Sequence, residues 1–240
     1  MKIHGTAKGG AISKKDFGVA FGGGGAAGWD VNWNFDESDL EAYWDLHFPS
    51  TDETNLDVNT TTDKIDWKMI NDNNDQTMYN DLLGEDVSDS QWLLRMKLRF
   101  SNVSGTCQGY IGISSITGAS SSSQDFIGVA ILTDDNQIRS IDADSSAISI
   151  SGDETDSITW ANNTDYYLEI IRSSPTAYSC EIFSQSDFTS SVAKVDGTSL
   201  ATTQDLRYVK LQNRITGNDG EPVLAIDFIR FENNAVLPPE

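Results

Sequence analysis

The segment Trp92-Leu93-Leu94-Arg95-Met96-Lys97-Leu98-Arg99-Phe100 constrains this chain more than any other. Trp92, Leu94, Met96, Leu98 and Phe100 fall on every second residue, and Arg95, Lys97 and Arg99 fill positions between them. A period of two puts the five apolar side chains on one face of an extended chain and the three cations on the other. A helix would scatter the same residues around its axis. The segment predicts a half-buried antiparallel strand, with one face on a core and one in water.

Further strands are expected at short intervals: Gly109–Ser114, Phe126–Thr133, Gln137–Ala143, Ala147–Ser151, Tyr166–Ser173, Ala177–Ser184, Leu206–Asn213 and Val223–Glu232. Polar, turn-forming stretches separate them at Gly118–Gln124, Thr133–Asn136, Gly152–Asp156, Ala161–Asp165 and Thr216–Gly220. No long amphipathic helix and no alternation of strand and helix interrupts the pattern. Many short strands joined by polar turns predict an all-β sandwich of two antiparallel sheets. A chain of 240 residues, 38% of them hydrophobic, can fill such a core as one domain.

The first 28 residues follow another rule. They hold nine glycines, including the run Gly22–Gly25, and four lysines, Lys2, Lys8, Lys14 and Lys15. A glycine run cannot support a strand or helix interior, so residues 1–28 are expected to form an extended, flexible arm. The run lacks the strand and the spacing of a nucleotide loop. The chain divides into this arm, a sandwich over residues 29–234 and a tail over 235–240. The net charge is −21; without the four arm lysines the remainder carries 12 bases against 37 acids, −25. A basic arm on an acidic body implies two different partners. The acidity argues against non-specific binding to DNA or anionic lipid. No apolar run reaches the roughly 20 residues of a membrane span. Met1 to Phe21 has no continuous apolar run of about 7–15 residues, so no Sec-type leader is expected there.

From Trp92 onward the chain resembles the concanavalin A-like, or laminin G-type, jelly-roll superfamily. Trp92–Phe100 is similar to one of the family's strands, and Asp125-Phe126-Ile127-Gly128-Val129 to a central one. Tyr166–Arg172 followed by Ala177–Phe183 is similar to a family strand pair. Leu206–Asn213 followed by Ala225-Ile226-Asp227-Phe228-Ile229-Arg230-Phe231 resembles the family's closing strands. The likeness covers residues 30–233, and its nearest look-alikes are uncharacterised marine archaeal and viral proteins. It implies a jelly roll, a scaffold shared by lectins, glycosidases, adhesion modules and virion proteins. It also implies a structural calcium, held by the acid of the closing strand, Asp227, with an N-terminal segment that Asp36 can supply. The alternative for Asp227 is a hydrogen-bonded structural carboxylate.

The residues themselves carry little enzymatic chemistry. Glu37-Ser38-Asp39-Leu40-Glu41 matches the acid triplet of polysaccharide hydrolases on this scaffold. It stands near the start of the domain, however, and Ser38 replaces a bulky apolar residue. Only His4 and His47 could serve as a histidine base, and neither has the setting of a nucleophilic triad. Cys/His zinc spacing is absent. Acid-rich loops at Asn71–Asp75, Asp134–Asn136 and Asp153–Asp156 offer oxygens to a hard cation but read more simply as solvated turns. Cys107 and Cys180 allow one disulfide, or stand as two buried thiols. Trp67, Tyr79, Trp160 and Tyr208 are the aromatic candidates for a sugar platform, against the simpler reading of core packing.

These observations lead to an expected non-enzymatic structural protein of a virion or extracellular surface, decorating a shell or tail and touching host or environmental glycans. It is expected to be a homo-oligomer with no specific nucleic acid partner. The arm, through Lys2, Lys8, Lys14, Lys15, Phe17 and Phe21, is expected to dock on a neighbouring subunit. The alternative is a free-standing, lectin-like carbohydrate-binding module, and behind it a glycoside hydrolase.

Overall fold

The computed structural model describes residues 31–33, 45–47, 56–59, 62, 64–69, 77–81, 87–105, 108–118, 122–133, 135–148, 154–214 and 222–235. Fifteen strands run in chain order: β1 (Val31–Trp33), β2 (Asp45–His47), β3 (Leu56–Asn59), β4 (Lys64–Lys68), β5 (Thr77–Asp81), β6 (Trp92–Asn102), β7 (Gln108–Ser114) and β8 (Gln124–Leu132). They continue with β9 (Gln137–Ser146), β10 (Thr155–Ser157), β11 (Thr164–Ser174), β12 (Ala177–Phe183), β13 (Ser191–Thr198), β14 (Tyr208–Arg214) and β15 (Val223–Asn233). One sheet has eight strands, ordered β13-β12-β11-β6-β15-β4-β3, with β1 also paired to β15. The other has seven, ordered β10-β9-β8-β7-β14-β5-β2. Every pairing is antiparallel. The described residues contain no helix, hence none long and apolar enough to cross a membrane.

The two sheets enclose one core. Strand β6 occupies the middle of the eight-stranded sheet, and Trp92, Leu94, Met96, Leu98 and Phe100 are wholly buried there. Ile111, Ile113, Ile127, Val129, Ile131, Val209 and Leu211 face them from the seven-stranded sheet. Each such side chain contributes about 1.5–3 kcal/mol on removal from water, which explains why the period-two pattern is strictest here. Trp67 and Trp160 also belong to this core. The Trp67 indole N–H donates to Asn213 Oδ1 at 2.6 Å, and its ring lies where a Cβ on Gly109 would stand, 2.7 Å away. Trp160 lies 5.0 Å from the rings of both Phe100 and Tyr166.

Most expected strands form, β1 to β5 add five that the expected set lacks, and corrections fall at three further places. The strand expected at Ala147–Ser151 does not start there. Instead β9 runs on to Ser146, Ser145 takes a left-handed φ of 47°, and Ala147 and Ile148 lie outside any strand. The Ser145 N–H is held by Asp125 Oδ1 at 2.7 Å, which fixes the bend. Strand β10 begins inside the stretch expected to be a turn, Gly152–Asp156, and ends one residue past it. Strand β13 was not expected at all, because its buried residues are only Ala193 and Val195, too small to mark a period.

Candidate functional site

Alternation on each strand leaves two outward sheet faces. On the eight-stranded sheet, Arg95, Lys97 and Arg99 point outward as the sequence predicts, and acids from the neighbouring strands meet them. Arg95 pairs with Glu169 at 2.5 Å, Arg99 with Asp165 at 2.7 Å, and Lys97 with Asp165 at 3.4 Å. Lys97 also donates to Asp227, whose other oxygen lies 3.7 Å from Lys64 Nζ. Burial works against the Lys97 charge, but Asp227 and Asp165 outweigh it and raise its pKa. Burial likewise works against ionised Asp165, but Arg99 and Lys97 hold its carboxyl below the usual range.

Asp227 reaches this face through a β-bulge. Ile226 pairs with Leu98 and Phe228 with Lys97, so Asp227 is the extra residue. Ile226 and Ile229 are both buried in the core, three positions apart rather than two. The bulge therefore turns Asp227 and Phe228 outward together, as bulges do when they re-aim side chains. Both Asp227 oxygens face ammonium groups. Asp36, named with it as a calcium ligand, lies outside the described residues. Among the described residues no three His, Cys, Asp or Glu side chains are placed to share a metal ion. Nearby, Phe188 has a left-handed φ of 58°, unusual for a bulky residue. Its ring lies 5.5 Å from Phe183 and 5.8 Å from Tyr167, and the Arg95 guanidinium sits 4.2 Å above it.

The outward face of the seven-stranded sheet differs in kind. Across the middle of β7, β8 and β9 it is mainly apolar. Tyr110, Phe126, Ala130, Leu132, Ile141 and Ala143 form a second buried cluster, joined by Ile148. Gly112 and Gly128 sit directly opposite each other, and the Phe126 ring covers both, where Cβ atoms would lie 2.6 and 2.8 Å from it. Across β14 and β5 the same face is polar. Lys210 donates to Gln124 Oε1 at 2.7 Å, which also accepts from Ser114 Oγ at 2.9 Å. Gln212, in register with Thr77 and Tyr110, is wholly buried, and among the described residues neither atom of its amide has a hydrogen-bond partner.

One end of this polar half is partly exposed. Tyr79 and Tyr208 meet edge to face, ring centres 5.7 Å apart. Arg207 grips Asp81 with two hydrogen bonds, of 3.0 and 2.6 Å, and its guanidinium lies 5.5 Å from the Tyr208 ring centre. Of the four aromatic candidates for a sugar platform, the fold puts Trp67 and Trp160 in the core, the simpler reading, and brings Tyr79 and Tyr208 together here. Sequence reasoning missed the Arg207–Asp81 pair, whose members are 126 residues apart. Register through β5 and β14 joins them: Asp81 pairs with Tyr208.

The other expected site residues are distributed as follows. Lys2, Lys8, Lys14, Lys15, Phe17, Phe21, the Glu37–Glu41 triplet and Cys107 lie outside the described residues. Cys180 is a free thiol, wholly buried, with Sγ 3.4 Å from the Gly128 carbonyl oxygen, and burial pushes its pKa far up.

No protein-family model matches the chain, and no curated protein matches it. Solved structures do match in three dimensions. The lectin UEA-II complexed with galactose superposes with a TM-score of 0.56 at 13% identity, over 87% of this chain and 100% of that one. The calcium-bound exoplasmic/lumenal domain of VIP36 gives 0.55 at 12%, over 84% and 88%. The fold is a concanavalin A-like jelly roll. A mutant of the GH43 protein BlXynB from Bacillus licheniformis shares it, with a TM-score of 0.56 at 11% identity. That match covers 84% of this chain but only 39% of the larger protein. Identities this low establish the jelly roll and leave the ligand to the chemistry of the site.

Proposed function

We propose that this jelly roll is a lectin-type carbohydrate-binding module that holds a sugar at the Tyr79–Tyr208 end of its seven-stranded sheet without hydrolysing it. The carrying observation is the pairing of partly exposed tyrosine rings with a bidentate Arg207–Asp81 clamp. A pyranose has apolar C–H faces and a rim of hydroxyls. Aromatic rings take the former, and a carboxylate and guanidinium fixed in one plane accept from and donate to the latter. Hydrolysis would need two carboxyls, about 5–5.5 Å apart for retention or about 6.5–9.5 Å for inversion. At this end of the face the described carboxylate beside the tyrosines is Asp81, and Arg207 occupies both its oxygens.

The fold shared with a galactose-bound lectin supports this reading. Docking through the arm, as part of a virion, rests on residues 1–28, outside the described residues, and none of the structures named above is a virion protein. A sugar-binding module would work where glycans are met, at an extracellular or virion surface.

The test is a glycan array followed by calorimetry on the best ligand, with and without calcium. Tyr208→Ala and Arg207→Met should each weaken binding about tenfold or more, the equivalent of about 1.4 kcal/mol, while thermal midpoints stay close to the parent's. Binding unchanged in both variants removes this site. Release of reducing ends by the parent, abolished in Asp81→Asn, shows an enzyme instead.

A further inference from the structure

Strand β13 is the edge of the eight-stranded sheet, and β10 the edge of the seven-stranded sheet. Along β13, Ala193, Val195 and Gly197 lie opposite Ile182, Cys180 and Tyr178. The backbone N–H groups of Lys194 and Asp196 point the other way. An edge with unpaired N–H groups is a template for another strand. Here side chains of the opposite sheet occupy it. Asp156 Oδ2 accepts from Lys194 N at 2.9 Å, and Glu154 Oε2 accepts from Asp196 N at 3.1 Å. Strand β10 is only three residues long and is itself paired to β9 alone.

We infer that Glu154 and Asp156 form a carboxylate latch over a dimerisation edge, and that releasing it lets β13 pair antiparallel with β13 of a second copy about Val195. The sequence of the strand fits that partner. A two-fold register centred on Val195 sets Lys194 opposite the copy's Asp196, and Asp196 opposite its Lys194. Both positions carry the outward-facing N–H and C=O groups that such a ladder uses, and both cross-strand pairs join opposite charges. A like-charged or apolar edge would lack this self-complementarity, which a symmetric interface requires.

The latch is held by charge-assisted bonds, with carboxylate oxygens accepting from backbone N–H groups. The groups around it are mainly acidic. Besides Glu154 and Asp156 they are Asp196 and Lys194 on β13, Glu181 opposite Lys194 on β12, and Arg139, Asp142 and Asp144 on β9. Lys194 Nζ lies 3.6 Å from Asp196 of its own strand. Burial and the neighbouring Asp144 push the Asp142 carboxyl up.

The experiment uses the full chain in sedimentation analysis at neutral pH. The parent should be monomeric, and Glu154→Ala/Asp156→Ala should dimerise. In that double variant, adding Lys194→Asp or Asp196→Lys puts like charges opposite each other and should return it to monomer. An equimolar mixture of the two should regain the dimer, because each strand then meets its complement. A folded double variant that stays monomeric, or a dimer indifferent to both charge reversals, overturns the inference. Should the double variant unfold, hydrogen exchange on the single variants Glu154→Gln and Asp156→Asn decides. The amides of Lys194 and Asp196 should lose protection before that of Val195, and simultaneous loss counts against the latch.

Discussion

Replacing Asp227 by Asn tests whether this carboxylate works as an ion-pair acceptor. The parent site has Lys97 hydrogen-bonded to one oxygen and Lys64 3.7 Å from the other. At such separations the attraction of unit charges is about 1 kcal/mol in bulk water and about 4 kcal/mol at an effective dielectric of 20. The side chains of Lys97, Asp227 and Lys64 are 21%, 26% and 31% exposed, so solvent screens them and the lower figure governs. The loss is limited further because Lys97 keeps Asp165 at 3.4 Å. The expected cost of Asp227→Asn is about 1 kcal/mol, a fall of about 2–4 °C in the midpoint for a domain of this size. Thermal unfolding followed by circular dichroism measures it, and high salt should shrink the difference. The network has a pH signature too. Asp165 has a lowered folded pKa, so its contribution is present above the unfolded carboxylate's pKa and lost as pH falls through the folded value. Lys97 has a raised one, so its contribution is complete below the ordinary lysine pKa and lost as pH rises through the folded value. An unchanged midpoint in the variant, or calcium stabilising the parent but not the variant, would refute the ion-pair account.

Two further substitutions probe the outward face of the seven-stranded sheet. Gly128→Ala places a Cβ 2.2 Å from the Ile111 carbonyl oxygen and 2.8 Å from Gly112 Cα, both backbone atoms that cannot swing away; it should cost about 2 kcal/mol by urea unfolding, within the range for overpacking, and parental stability would show that β7 and β8 can part freely. Gln212→Met removes a buried amide with no partner among the described residues, whose burial costs about 1–3 kcal/mol; stability should rise by about 1 kcal/mol in the same assay, and a fall would mean that the amide is satisfied.

The sequence alone determined the fold class and much of the core. It did so where large apolar residues alternate without interruption, as from Trp92 to Phe100, because a strand between core and water must repeat every second residue. It could not determine what is decided by contacts between distant segments. Asp227 reads as an acid stranded among apolar neighbours until the bulge shows it beside Lys97, 130 positions away. Tyr79 and Tyr208 look no different from Trp67 and Trp160 until register puts one pair on an outward face and the other between the sheets. Strand β13 has too little apolar surface to announce itself, and β10 looks like a turn. Both exist because their neighbours supply the pairing: β12 for β13, and β9 for β10. Local spacing fixes which way a side chain alternates; only the assembled sheets decide what it meets there.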